Sequence, residues 1–246
     1  MKHVEHYQIK WHDTNANREV YPSKVLMYMQ ETANAQLVAN GIPLDALRDQ
    51  RGLAFLLSRI SIRFYQPLYT GDLIDVETWI CEGRGYGFDR CFRVLRGGET
   101  VAEAYSVWAL LNLRERRLMR VDEFSYGFAP DLPLESGLST RVRVPALDRM
   151  ICVGERRIVF SDIDYNGHMN NTNYPDMLCD FIPDIRAKRP VAMVLSFLHE
   201  ASYEHTLRLY RSEREQGYDF RTVDSDGTVC LDATVFVEDL EELCKA

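Results

Sequence analysis

Residues 7–33 read YQIKWHDTNANREVYPSKVLMYMQETA, and residues 156–182 read RRIVFSDIDYNGHMNNTNYPDMLCDFI. The two stretches align without a gap, 149 positions apart, and the alignment places similar residues together: Ile9 with Ile158, Trp11 with Phe160, Asp13 with Asp162, and Asn17 with Asn166. Self-similarity of this kind within one chain predicts two copies of the same structural unit.

Two further matches follow in the same order. Residues 54–68 (AFLLSRISIRFYQPL) resemble residues 192–207 (AMVLSFLHEASYEHTL) at an offset of 138, which pairs Leu57 with Leu195 and Tyr65 with Tyr203. Residues 98–102 resemble residues 227–230 near the same place in each half. Because the three matches keep their order, the sequence favours a true duplication over a chance likeness.

Each copy has the same predicted order of secondary structure. A short alternating strand leads through a polar turn rich in Asn and Asp into an amphipathic helix, and a run of strands follows. The predicted strands are 54–64, 73–82, 87–96 and 101–113 in the first copy, and 192–202, 206–213, 218–224 and 229–237 in the second.

One helix covered by antiparallel strands is an α+β unit, and two such units can join their sheets. The segment between the copies has little periodicity and holds three of the nine prolines, which is typical of a linker. We therefore expect an N-terminal unit over residues 1–121, a linker over 122–150 and a C-terminal unit over 151–246.

Composition excludes several classes of protein. The 29 Lys and Arg against 37 Asp and Glu give a net charge of −8, which argues against neutralising nucleic-acid phosphates. The chain has neither a membrane-spanning run of about 18 apolar residues nor the apolar core of a signal peptide, so a cytoplasmic location is expected. No metal site is predicted, and free thiols are expected for all six cysteines: Cys81, Cys91, Cys152, Cys179, Cys230 and Cys244.

The duplication also serves as an internal control, because a polar residue found in one copy alone is a candidate for chemistry. Asp164 stands opposite Asn15 and His168 opposite Glu19, so an imidazole that exchanges protons near neutral pH is found only in the second copy. The alternatives are structural. Asp164, like Asn166, could form the hydrogen bonds of a turn, and His168 could cap a helix or lie on the surface.

Glu200 is the second asymmetry, since the second match places it opposite Ile62. Both the strand pattern and the first copy predict an apolar side chain there. Burying a carboxylate costs several kcal/mol unless it is paired or has a task. A carboxyl whose pKa is raised in an apolar cleft suits a general base, and an exposed carboxylate on an edge strand is the alternative.

Residues 162–174, DIDYNGHMNNTNY, resemble the D-x-D-x-N-x-H-x-N-N-x-x-Y signature of acyl-ACP thioesterases, and residues 30–33, QETA, resemble a motif of that family's N-terminal half. The resemblance implies a tandem (double) hotdog, in which an antiparallel sheet wraps each helix. It implies release of free fatty acid from acyl carrier protein, with the acyl chain bound by the N-terminal unit. The implied catalytic set is Asp164, Asn166, His168 and Glu200, with no cofactor or metal.

The family's plant members have a cysteine after the glutamate, whereas this chain has Ala201. A thiol nucleophile is excluded at that position, so water is the expected attacking group. In the expected mechanism Glu200 accepts a proton from water, Asn166 and His168 position the water and the thioester, and Asp164 orients the imidazole. Either His168 or backbone N–H groups at the start of the next helix would hold the oxyanion.

The implied partner is an acidic acyl carrier protein that carries the acyl chain on a phosphopantetheine arm. Because this chain is also acidic, docking would need a local basic surface, for which residues 114–120, 156–157 and 186–189 are candidates. The alternative is that these are scattered, solvated charges. Two alternative functions are left open by the sequence: an acyl-CoA thioesterase and a non-catalytic acyl-binding hotdog protein. A homodimer is compatible with each of these functions.

Overall fold

The computed structural model describes residues 2–240, so Cys244 lies outside the described residues. The chain divides into two compact units. The first contains residues up to Val20 together with Lys24–Ser139, and the second contains Tyr21–Ser23 together with residues from Thr140 onward.

The first unit combines α-helices with an antiparallel sheet, in which strands that follow one another in the chain mostly pair with each other. Its elements are β1 (His3–Gln8), α1 (Pro22–Ala39), α2 (Leu44–Asp49), β2 (Leu53–Phe64), β3 (Leu73–Ile80), β4 (Phe88–Arg96), β5 (Glu99–Asn112) and β6 (Arg117–Met119). The strand order is β1-β3-β4-β5-β2, with β6 paired to β5. α1 begins at Pro22, a residue whose fixed φ and missing N–H suit the first helical position.

The second unit repeats this order with a shorter helix and, among the described residues, without counterparts of α2 and β6. Its elements are β7 (Ile151–Arg157), α3 (Asn173–Asp180), β8 (Lys188–Phe197), β9 (Thr206–Arg214), β10 (Gly217–Val223) and β11 (Val229–Asp239). The strand order β8-β11-β10-β9-β7 is the first unit's order element for element. The helices differ, since α1 has 18 residues and α3 has 8.

Both cores lie between helix and sheet. In the first unit Leu26 and Met29 of α1 and Phe92 of β4 are at most 1% exposed, and in the second Met177 of α3 and Phe220 of β10 are completely buried. Burying each such side chain contributes about 1.5–3 kcal/mol to folding. In the range that the structure describes, no helix is long and apolar enough to cross a membrane.

Backbone hydrogen bonds confirm the first match at its predicted offset. The amide of Ile9 donates to the carbonyl of Asp72 at 2.9 Å, and the amide of Ile158 donates to that of His205 at 2.8 Å. The third match is also confirmed. The carbonyl of Val101 accepts from residues 65 and 66 at 2.8 and 3.3 Å, and the carbonyl of Cys230 accepts from residues 198 and 199 at the same distances.

The second match is wrong by five residues. The equivalent hydrogen bonds place Tyr65 with Leu198, an offset of 133 instead of 138. β8 therefore ends at Phe197, not at the predicted Ser202. Because α3 is short, the chain enters the sheet early, at Lys188, and its ladder with β11 ends at the Phe197–Leu231 pair.

Candidate functional site

A tight loop before α3 carries three of the four predicted site residues. Ile163 and Met169 pair as an antiparallel bridge that closes the loop. Inside it, the amide of Asp164 donates to the carbonyl of His168 at 3.0 Å, and the amide of Gly167 donates to the carbonyl of Asp164 at 2.9 Å. Gly167 has a φ of +86°, in the left-handed region that favours glycine.

Asp164 and Asn166 form a local hydrogen-bonded turn. The Oδ1 of Asp164 accepts the backbone N–H of Asn166 at 2.8 Å, and its Oδ2 accepts the side-chain amide of Asn166 at 3.4 Å. In the first unit the Oδ1 of Asn15 accepts the N–H of Asn17 at the same 2.8 Å. The turn that the sequence offered as the alternative role of Asp164 is thus present, and because both copies share it, it does not by itself indicate chemistry.

His168 and Glu200 form an acid–base pair that only the second unit has. The Nε2 of His168 lies 3.2 Å from the Oε2 of Glu200, and the two side chains are 34% and 56% exposed. Backbone pairing brings the two segments together, because His168 bridges Ser202 and the amide of Met169 donates to the carbonyl of Ala201 at 2.9 Å.

The expected burial of Glu200 is wrong. The carboxylate follows the end of β8 by three residues, and more than half of its side chain is exposed. The correct internal alignment places it opposite Pro67 instead of Ile62, so it replaces no core residue. The position after the strand explains the exposure, because the chain has left the sheet that would have covered the side chain.

The expected contact between Asp164 and the imidazole is also absent. The ring of His168 contacts Glu200 through Nε2, while its Nδ1 is buried and has no hydrogen-bond partner among the described residues. Asp164 acts on His168 only through the backbone, by donating its amide to the His168 carbonyl. Glu200 is therefore the group that orients the imidazole.

The backbone N–H groups of residues 172–174, at the start of α3, are already engaged in hydrogen bonds. The amide of Thr172 donates to the Oδ1 of Asn170 at 2.9 Å, and the amide of Asn173 donates to the carbonyl of Asn170 at 3.0 Å. The amide of Tyr174 donates to the carbonyl of Asn171 at 3.4 Å, and the next residue, Pro175, has no N–H. Of the two kinds of donor that the sequence left open, these hydrogen bonds favour His168 over the amides of residues 172–174.

The residue after Glu200 carries no thiol. Ala201, next to Glu200, is 1% exposed. The five described cysteines are all free, as predicted. Burial raises the pKa of the Cys230 thiol to about 11 and shifts the pKa of Cys179 upward as well. Both are therefore poor nucleophiles at neutral pH.

One cluster of potential metal ligands was not predicted. His205, Asp224 and Asp226 each place one ligand atom within 4.8 Å of the others. The carboxylate of Asp224 already accepts the amides of Asp226 and Thr228, at 2.9 and 2.8 Å, and so holds the turn before β11. The side chain of Asp226 is 73% exposed. We assign the cluster a structural role.

Acidic partners neutralise part of each predicted basic cluster. These ion pairs are Arg117 with Glu115 and Glu123, Arg120 with Asp122, Arg156 with Asp162, Arg157 with Glu204, and Arg189 with Glu238. The clusters are thus more weakly basic than the sequence alone indicates.

Comparison with known proteins identifies relatives of both halves. The acyl-ACP thioesterase N-terminal domain matches residues 1–126, and the acyl-ACP thioesterase C-terminal domain matches residues 153–234. The chain is 24% identical over 221 residues to the chloroplastic palmitoyl-acyl carrier protein thioesterase of Arabidopsis thaliana, a match that covers 83% of this chain. This chain spans about half (53%) of that relative's length.

Two solved structures resemble the whole chain. An acyl-ACP thioesterase from Bacteroides thetaiotaomicron has a TM-score of 0.87 at 21% identity, covering 96% of this chain and 98% of its own. The 12:0-ACP thioesterase from Umbellularia californica has a TM-score of 0.81 at 20% identity, covering 97% of each.

Two helix-and-sheet units with the same strand order, and a His–Glu pair in the second, define a double hotdog protein, as predicted. The match of both domains goes further. The chain belongs to the acyl-ACP thioesterase family, which confirms the resemblance inferred from residues 162–174.

Proposed function

We propose that the protein hydrolyses the thioester of a fatty acyl-ACP, which releases free fatty acid and ends chain elongation. The pairing of His168 with Glu200 carries the proposal, together with family membership. In the first unit the corresponding positions are Glu19 and Pro67, which cannot form an acid–base pair. Catalysis is accordingly assigned to the second unit.

Glu200 is suited to activate water. Its Oε2 faces His168, while its Oε1 has no protein partner in the described part of the chain and the side chain is open to solvent. The carboxylate takes a proton as the water oxygen attacks the thioester carbon. The tetrahedral intermediate then collapses, the C–S bond breaks, and the proton passes to the leaving thiolate. The products are a carboxylic acid and the carrier's thiol.

The other site residues have supporting roles in this mechanism. His168 holds one carboxylate oxygen and is the candidate donor to the developing oxyanion. Asn166 is exposed, and its proposed role is to position the water and the thioester. Asp164 is a positioning residue, because it fixes Asn166 directly and His168 through the backbone. Residues 1–121 are proposed to bind the acyl chain, and residues 151–246 to carry out the reaction.

The proposal names acyl carrier protein, and not coenzyme A, as the carrier of the acyl chain. A net charge of −8 and partly neutralised basic clusters do not favour an acidic carrier protein, whereas family membership does. Competition between matched acyl-ACP and acyl-CoA substrates tests the choice, and a large preference for CoA would refute it. Acyl-chain binding without turnover would instead support a non-catalytic hotdog.

Gas chromatography of the fatty acids released on expression in a bacterium would give the chain-length preference. A cytoplasmic location and a homodimer are further predictions. Cell fractionation tests the first, and light scattering of the purified protein tests the second.

A further inference from the structure

Two cysteines of the first unit contact each other and take no part in the site described above. Cys91 lies on β4, and Cys81 directly follows the last residue of β3. Their Sγ atoms are 3.3 Å apart, and both thiols are free. Cys91 is completely buried, and 8% of Cys81 is exposed. The first unit therefore contains two thiols within reach of each other.

The register of the sheet brings the two cysteines together. Cys91 is the pairing partner of Trp79, and Cys81, two residues beyond Trp79, lies on the same face of the sheet. The amide of Cys81 donates to the carbonyl of Asp89 at 2.9 Å, which extends the pairing of β3 with β4. The S–S bond of a disulfide is about 2.05 Å long, so the two sulfurs need to approach by about 1.3 Å to form one.

The second unit shows that these two positions meet whatever residues they hold. Phe92 and Phe220 are equivalent, since each lies opposite an alanine of the next strand, and their alignment makes two further pairs of positions equivalent: Cys81 with Arg214, and Cys91 with Asp219. In the second unit the Nη1 of Arg214 donates to the Oδ1 of Asp219 at 2.9 Å. The same contact is thus an ion pair in one copy and a pair of thiols in the other, so the fold does not require cysteines here.

The two thiols differ in reactivity. The S–H of Cys81 donates to the sulfur of Cys91 and lowers the pKa of the Cys91 thiol, and a backbone N–H of Leu134 acts in the same direction; together they outweigh burial. The same hydrogen bond, together with burial, raises the pKa of the Cys81 thiol. Because the thiolate is the form that attacks an oxidant, Cys91 is expected to react first and Cys81 second.

One short segment, residues 131–134, covers the two thiols. Asp131 forms a bridge with Cys81, and the indole N–H of Trp79 donates to the carbonyl of Leu132 at 2.7 Å. Leu134 packs in one apolar cluster with both cysteines, whereas the three residues before it are exposed. Because so few contacts hold this segment, its local opening is the route by which a small, uncharged oxidant reaches the thiols.

We propose that Cys81 and Cys91 form a dithiol site that a hydroperoxide oxidises to a disulfide, and that the reduced pair helps to hold residues 131–134 on the sheet. With hydrogen peroxide, the sulfur of Cys91 attacks one oxygen, the O–O bond breaks, and water leaves with the thiol proton. The sulfur of Cys81 then attacks the sulfenic acid, the S–S bond forms, and a second water leaves with the proton of Cys81. The thiols lose two electrons, which reduce the peroxide. Since a disulfide sulfur is a weaker acceptor than a thiolate, the hold on Leu134 is lost.

Treatment of the reduced full chain with hydrogen peroxide tests the proposal. After alkylation of the remaining thiols and digestion without reductant, mass spectrometry should find the peptides of Cys81 and Cys91 joined, with the loss of two hydrogens. Hydrogen exchange at residues 131–134 should become at least about fivefold faster in the cross-linked protein and return to its first rate after reduction by dithiothreitol. Absence of the cross-link, or a cross-link that leaves exchange at residues 131–134 unchanged, would overturn the proposal.

Four variants test the order of attack and separate this site from the catalytic proposal. Cys81→Ser keeps a hydroxyl donor beside Cys91, so Cys91 should accumulate as the sulfenic acid, which dimedone traps after unfolding. Cys91→Ser should leave Cys81 largely unlabelled, and equal labelling of the two variants would contradict attack by Cys91. Cys152→Ser removes an exposed thiol and should form the cross-link at the wild-type rate. Glu200→Gln should do the same, whatever its effect on turnover. The measurements on the wild type do not depend on the stability of any variant.

Discussion

Replacing Glu200 by glutamine keeps the shape of the side chain but removes its ability to accept a proton from water. Loss of a general base typically lowers turnover by about 100-fold or more. A 100-fold loss corresponds to about 2.7 kcal/mol in the activation free energy. The Glu200→Gln variant is therefore expected to hydrolyse acyl-ACP at no more than about 1% of the wild-type rate.

The same substitution should hardly change folding stability. The pair with His168 spans 3.2 Å, but its side chains are 34% and 56% exposed, so solvent screens the interaction. Exposed pairs of this kind contribute about 1 kcal/mol or less. The free energy of unfolding, measured by urea titration, should fall by less than that amount.

The assay combines fatty acid release from purified acyl-ACP with urea unfolding of the same samples. Glu204→Gln is the matched control, because Glu204 is another exposed glutamate four residues away, paired with Arg157 at 3.3 Å. It should retain near wild-type turnover. If Glu200→Gln turned over within about threefold of the wild type, Glu200 would not be the base.

Three further substitutions test the rest of the site. His168→Ala should lower turnover at least about 100-fold with the fold retained, and circular dichroism together with the acyl-ACP assay would check both. Asp164→Ala removes the acceptor of the loop's turn, so it should cost about 1 kcal/mol of unfolding free energy and reduce kcat more than it changes KM. Gly167→Ala should lower Tm by about 2–4 °C through its positive φ, a modest effect because Arg18 adopts φ +66° at the same place in the first unit. Replacing every cysteine by alanine or serine should leave more than half of the activity, and loss of activity would revive a thiol mechanism.

Local sequence signals predicted the loop of the site well. Asp164, Asn166 and His168 lie within five residues, and the hydrogen bonds within their loop join residues at most eight apart. Such bonds depend on turn chemistry that the sequence displays directly. For the same reason, the alignment of residues 7–33 with residues 156–182, at an offset of 149, was correct.

The position of Glu200 could not be predicted in this way. Its place depends on where β8 ends, and that end is set by pairing with β11, whose residues lie more than thirty positions later. Chance identities such as Leu57 with Leu195 then favoured the wrong offset. The predicted burial of the Glu200 carboxylate was wrong because the predicted register was wrong. Glu200 nevertheless contacts His168.

The sequence by itself determined the duplication, the order of helix and strands in each copy, the family, and the polar loop before α3. These features follow from periodicity and from contacts between residues near one another in the chain. Only the tertiary structure decided that Glu200 is exposed and paired with His168, and that Asp164 holds Asn166 instead of the imidazole. Each of these depends on strand register and on packing between distant segments, and a shift of a few residues changes which side chains meet.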